Sequence, residues 1–173
     1  VGTVNTLGLD LSLTSTGVSY GGVTDSIRPT TRGAERLIEV RDKVMAVCEG
    51  QRIQIVAVEN YSYMSRYSQA HSIGELGGVV RVALYERKIP FVGIPPTCRA
   101  KFATGKGNAG KVQVMEEITR KTGIVWEGKD ADDRCDAWVL EQMLLAKLGL
   151  SSYTWSKDQL KGLDGVEWET AGL

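Results

Sequence analysis

The chain has 173 residues, 42% hydrophobic and 24% charged, which is enough for one domain with a sizeable core. That balance excludes a collagenous, coiled-coil or disordered chain, and no apolar run approaches the ~20 residues that span a bilayer. Lysine plus arginine equals aspartate plus glutamate at 21 each, so net charge signals no polyanionic partner. The opening VGTVNTLGLD lacks the basic and long apolar regions of a signal peptide, and the chain reads as cytosolic, with no membrane role. Cys48, Cys98 and Cys135 are odd in number and widely spaced, which argues against a disulfide framework or a zinc site.

Residues 4–11, VNTLGLDL, read as a buried strand whose one charged residue is Asp10. Leu13–Tyr20 supply a second strand, Gly21-Gly22 a hairpin turn, and VTDSI a third strand. RGAERLIEVRDKVMAVCEG has helical spacing at Leu37, Val40, Val44, Val47 and Cys48 and ends at Gly50. IQIVAVEN reads as a fully buried strand that terminates at Glu59. SQAHSIGELGGVVRVALYERK is helical but carries Gly74, Gly77 and Gly78, a density that suggests close approach of another backbone. PFVGI is a short strand, RAKFAT a poor one, GKVQVMEEITRKTG a helix, and DADDRCDAWVLEQMLLAKLG a last helix. The order βββαβαβαα predicts an α/β domain over residues 1–149 with a mixed sheet flanked by helices. Residues 150–173 form a tail of unassigned role that is polar apart from Trp155 and Trp168; it suits the surface or an interface, and a packing role is the favoured reading for the two tryptophans.

Charge is unevenly spread. From Arg99 to Lys121 the basic residues Arg99, Lys101, Lys106, Lys111, Arg120 and Lys121 face only Glu116 and Glu117. From Glu127 to Glu141 the sign reverses, with Glu127, Asp130, Asp132, Asp133, Asp136 and Glu141 against Lys129 and Arg134. A basic segment abutting a carboxylate cluster suits a phosphate-handling site, because cations hold the substrate while carboxylates hold a metal that neutralises it.

Asp10 and Glu59 stand near or at the ends of two strands among apolar residues, where an unpaired carboxylate costs several kcal/mol. Asp133 and Asp136, three apart in the last helix, project from one face; Asp132 and Asp136 do so as well, which leaves the partner of Asp136 open among Asp133, Asp132 and Asp130. If that helix packs on the sheet, four carboxylates converge, and they cannot all stay ionised without cations. Hard oxygen donors of this kind select Mg2+ or Mn2+, and two such ions can activate a water and stabilise the leaving oxygen of a phosphodiester.

The segments GLDLSLTSTGVSY, VAVENY, IGELGGVV, ATGKGNAGKVQV and DADDRCDAW, taken in order, resemble the RuvC family of Holliday-junction resolvases, most closely its bacteriophage branch. The resemblance covers roughly residues 4–147. It implies an RNase H-like fold, a homodimer, and metal-dependent symmetric incision of four-way DNA junctions that leaves a 5′-phosphate and a 3′-hydroxyl. By motif position it implies Asp10, Glu59, Asp133 and Asp136 as metal ligands and Lys111 as the lysine near the scissile phosphate, with Lys101 matching a second basic residue less closely. It also implies a dimer interface along Ile73–Val82. Cellular members carry an aromatic residue shortly after the strand-end glutamate; here Ser62 falls at that place between Tyr61 and Tyr63, either of which could stack on an unpaired base. His71 is not expected to be catalytic.

Arg99, Lys101 and Lys106 are expected to track the DNA backbone. GKGNAGKV fits part of a nucleotide-binding P-loop, but Val112 replaces the metal-binding Ser or Thr, so no nucleotide cofactor is expected and the loop reads as a mobile basic segment. The actin-like ATP-binding folds that open with a similar strand need two such domains. The rivals that stay open are a broader fork and flap endonuclease and a non-catalytic junction-binding protein.

Overall fold

A computed structural model describes residues 4–61 and 67–173, with side chains described for all of these except 67–72. The first three strands, β1 (Thr6–Asp10), β2 (Thr16–Tyr20) and β3 (Val23–Ile27), form an antiparallel meander turned by Gly21 and Gly22, both at positive φ. Helix α1 (Gly33–Gly50) follows, then β4 (Ile55–Glu59), α2 (Tyr67–Glu86) and β5 (Phe91–Ile94). The five strands lie in the order β3-β2-β1-β4-β5, with β4 parallel to both β1 and β5. Leu9 pairs with Val58, so the next residues along, Asp10 and Glu59, emerge side by side at one end of the sheet.

Strand alternation divides the core in two. Leu7, Leu9, Val56 and Val58 face α1 and α2, joined there by Val40, Val44, Leu76, Val80 and Leu84. Ile55, Ala57, Val92 and Ile94 face the opposite layer, formed by α3 (Pro96–Thr104), α4 (Lys111–Thr122) and α5 (Ala131–Lys147). Two glycines set how close α5 comes: a Cβ on Gly8 would overlap the Ala137 carbonyl and the Glu141 amide, and one on Gly17 would overlap the Asp133 carbonyl. The absence of those side chains brings the first two turns of α5 down onto β1 and β2.

Helix α3 was not expected from the sequence, where RAKFAT reads as a poor strand. Proline at its first turn and Gly105, left-handed at φ 82°, delimit the helix, and Arg99, Ala100, Phe102 and Ala103 are buried. The C-terminal segment is likewise more than a polar tail. Ser156 caps α6 (Lys157–Leu160) in a reciprocal pair with Gln159, whose amide donates to the Ala103 carbonyl at 2.9 Å. Trp155 packs 4.2 Å centroid to centroid from Phe102, and Val166 and Trp168 are buried in the same core. Residues of the 150–173 segment, Trp155, Val166 and Trp168, are thus part of the core on the α3–α5 side of the sheet. Among the described residues no helix is long and apolar enough to cross a membrane.

Candidate active site

Three elements deliver acids to one place. Asp10 ends β1 and Glu59 ends β4, and α5 lays Asp136 and Asp133 over those strand ends because Gly8 and Gly17 admit its backbone. Asp136 is 3% exposed. Burial holds the Asp10 carboxyl well above the ordinary carboxylate range, and Glu59 and Asp136 add to the rise against the pull of Arg99. Burial also pushes Asp136 up to about 7 despite Arg99, with Glu59 adding to the rise. Asp133 is raised by partial burial, while the Ser15 hydroxyl beside it pulls the other way. The charges of Asp133 and Asp136 reach Asp10, so all four predicted acids share one electrostatic environment.

Asp132 takes a different course. It turns to Lys111, the first residue of α4, whose Nζ donates to its carboxylate. That bond brings Asp132 below its ordinary pKa in spite of partial burial, and it raises Lys111 although burial opposes the rise. Asp130 pairs instead with Ser26 and Arg134. Of the candidates left open beside Asp136, Asp133 is thus the one not engaged by a lysine or arginine ion pair among the described residues.

Arg99 departs from the sequence expectation. Its side chain is 10% exposed and lies inside the acidic site. Nε donates to Glu59 and Nη1 to Asp136, so one guanidinium bridges the end of β4 and the first turns of α5. Its neighbours Ala100, Phe102 and Ala103 are buried with it on α3. Lys101 is half-buried on α3, and Lys106 is exposed in the loop before α4.

Tyr61, two residues beyond Glu59, is held against α2. Its hydroxyl donates to the Gly74 carbonyl at 3.2 Å and accepts from Arg81 at 2.8 Å, and Arg81 also donates to Asn60 at 3.1 Å. Gly77 makes room for that ring, since a Cβ there would overlap the tyrosine hydroxyl. The close approach predicted for the glycines of α2 is therefore met at Gly77 by a side chain. Tyr63 lies outside the described residues, as does the side chain of His71.

Among the described residues, no three His, Cys, Asp or Glu side chains are drawn together at metal-holding distances. The donor set nevertheless suits a hard divalent cation: Glu59 and Asp136 share one buried cation, Arg99, and Asp10 is left without an ion-pair partner among the described residues.

The family model described as crossover junction endodeoxyribonuclease RuvC matches residues 7–140, which include all four acids, Arg99 and Lys111. The chain belongs to the RuvC family. A RuvC crossover junction endodeoxyribonuclease of Synechococcus sp. (strain WH7803) is 27% identical over 136 residues, covering 79% of this chain and 83% of the relative. That of Nocardia farcinica is 33% identical over 99 residues, covering 57% of this chain and 52% of the relative. Among solved structures, Thermus thermophilus RuvC in complex with a Holliday junction substrate superposes with a TM-score of 0.70 at 20% identity, covering 88% of this chain and all of that one. The yeast mitochondrial Holliday junction resolvase Ydc2 superposes at 0.57 with 14% identity, covering 80% of this chain and 76% of that one. The mixed five-stranded sheet flanked by helices is the RNase H-like fold expected from the sequence. The RuvC match stops at residue 140, short of α6 and of the buried Trp155, which packs on Phe102 of α3.

Proposed function

We propose that this RuvC-family chain is a metal-dependent, structure-selective DNA endonuclease that resolves Holliday junctions by paired symmetric hydrolysis, leaving 5′-phosphate and 3′-hydroxyl ends. The observation that carries the reading is the meeting of Asp10, Glu59 and Asp136, with Asp133 beside them, at one end of an RNase H-like sheet. In this reading these four acids hold two Mg2+ or Mn2+ ions, which when bound supply an activated water and charge stabilisation for the leaving oxygen. Arg99 and the strand ends hold the acids in place. Lys111, carried at the start of α4 against Asp132, stabilises charge developing at the phosphate. Lys101 and Lys106 follow the DNA backbone, and Tyr61 or Tyr63 stacks on an unpaired base at the junction.

A homodimer matches the symmetry of two cuts in one junction. The exposed Val82 on α2 supports Ile73–Val82 as the interface. A sedimentation-equilibrium mass of two chains at micromolar concentration is expected, and a one-chain mass contradicts the dimer.

The test of the activity is cleavage of a labelled four-way junction, a Y-fork and a linear duplex, each with Mg2+, Mn2+ or chelator. Paired symmetric cuts in the junction, only with metal, are the expected result. Equal cutting of every branched substrate favours the broader fork and flap endonuclease, and binding without cutting favours a non-catalytic junction-binding protein.

A further inference from the structure

The buried guanidinium of Arg99 is more than a neutralising partner. It reaches Glu59 on β4 and Asp136 on α5 with two separate donors, so a single side chain ties together two elements that approach the site from different layers. Burial disfavours its charge, but Glu59 and Asp136 outweigh that effect and keep it protonated. Among the described residues no other cation forms an ion pair with Glu59 or Asp136.

These two acids also belong to the set proposed to bind the metal. An oxygen that accepts from a guanidinium cannot offer the same lone pair to a cation, and a fixed positive charge among the ligands repels an incoming one. Two divalent ions neutralise four carboxylates, and the charge of Arg99 is then left to balance the single negative charge of a phosphodiester.

We propose that Arg99 is a positioning residue that acts as an internal counter-cation: it holds Glu59 and Asp136 in place before metal binds and, by competing for them, weakens the affinity of the DNA-free protein for divalent ions. The proposal rests on the reading of these acids as a metal centre.

The experiment is calorimetric titration of Mn2+ into chelator-stripped protein without DNA, for the wild type, Arg99→Met and Arg99→Lys, with melting temperatures in chelator and in Mn2+. Arg99→Met is expected to bind Mn2+ about tenfold more tightly than the wild type, since a competing like charge is gone. It is also expected to melt lower in chelator and to regain stability with Mn2+. Arg99→Lys, which keeps the charge but loses the two-donor fork, is expected to fall between them on both readouts. Unchanged or weaker Mn2+ binding by Arg99→Met overturns the proposal, because loss of a merely structural arginine loosens the ligands and does not tighten the metal. If Arg99→Met does not fold, Arg99→Lys decides the matter by the same comparison. A wild type that binds no Mn2+ at millimolar concentration removes the metal-centre reading itself, and the role of Arg99 falls with it.

Discussion

Helix α5 carries two buried acids little more than a turn apart, and they are satisfied in opposite ways. Glu141, 1% exposed, accepts from the Ser19 hydroxyl at 2.6 Å, the Gly21 amide at 2.7 Å and the Thr6 hydroxyl at 3.2 Å. Every partner is neutral, every partner belongs to the β1–β3 meander or its turn, and the carboxylate is fully engaged by them. Burial raises its pKa, while Ser19, Gly21 and Thr6 pull it back. Asp136 sits among Asp10, Glu59 and Asp133, where the surplus is of negative charge and one arginine is too few. A buried acid supplied with neutral donors fastens structure; a buried acid crowded by other acids waits for cations.

The sharpest way to break that comparison is to neutralise a member of the acidic set. Glu59→Gln is expected to lower metal-dependent junction cleavage by at least on the order of 10³-fold while the protein still folds, measured by single-turnover cleavage alongside a thermal melt. Retained cleavage removes Glu59 from the ligands. Lys111→Met is expected to lower the cleavage rate by about 10²-fold. A smaller drop, accompanied only by weaker DNA binding, places Lys111 among the phosphate-tracking residues.

The Glu141 side of the comparison predicts stability rather than rate. Glu141→Ala leaves Ser19, the Gly21 amide and Thr6 without their acceptor, and is expected to destabilise the fold by about 2–3 kcal/mol in denaturant titration with cleavage at permissive temperature near normal. A large loss of cleavage without a stability change contradicts a fastening role. The smallest effect is expected at the half-buried Glu39, which Lys43 and then Thr31 hold down to about 2. Its folded pKa lies below the unfolded value, so its contribution is complete above the unfolded pKa and fades as pH falls toward 2. Glu39→Gln should therefore flatten the acid limb of the melting temperature against pH and leave cleavage unaltered.

The strands and long helices were legible because their apolar residues repeat with period two or with helical spacing, and the register of β1 and β4 then follows from hydrophobic runs that end in Asp10 and Glu59. The convergence of the acids depended on α5 packing on the sheet, which the glycines of β1 and β2 permit but which no periodicity reveals. Helix α3 was missed because nine residues with two basic side chains carry no amphipathic pattern, although its bounding Pro96 and Gly105 are helix punctuation. The setting of Arg99 was hidden for the same reason: sequence gives its charge but not the burial that turns it toward Glu59. The C-terminal tryptophans are isolated in a polar segment, so no periodicity reveals that Trp155 packs on Phe102, Trp138 and Tyr153 or that Trp168 joins the same core.

The most direct test of the account sets Asp10→Asn against Glu141→Gln on a labelled four-way junction with Mg2+, at a temperature where both variants are folded. The account predicts that Glu141→Gln makes the paired cuts at close to the wild-type rate while Asp10→Asn binds the junction and leaves it uncut. Metal-dependent cutting by Asp10→Asn, or a folded Glu141→Gln that is equally inactive, would contradict it.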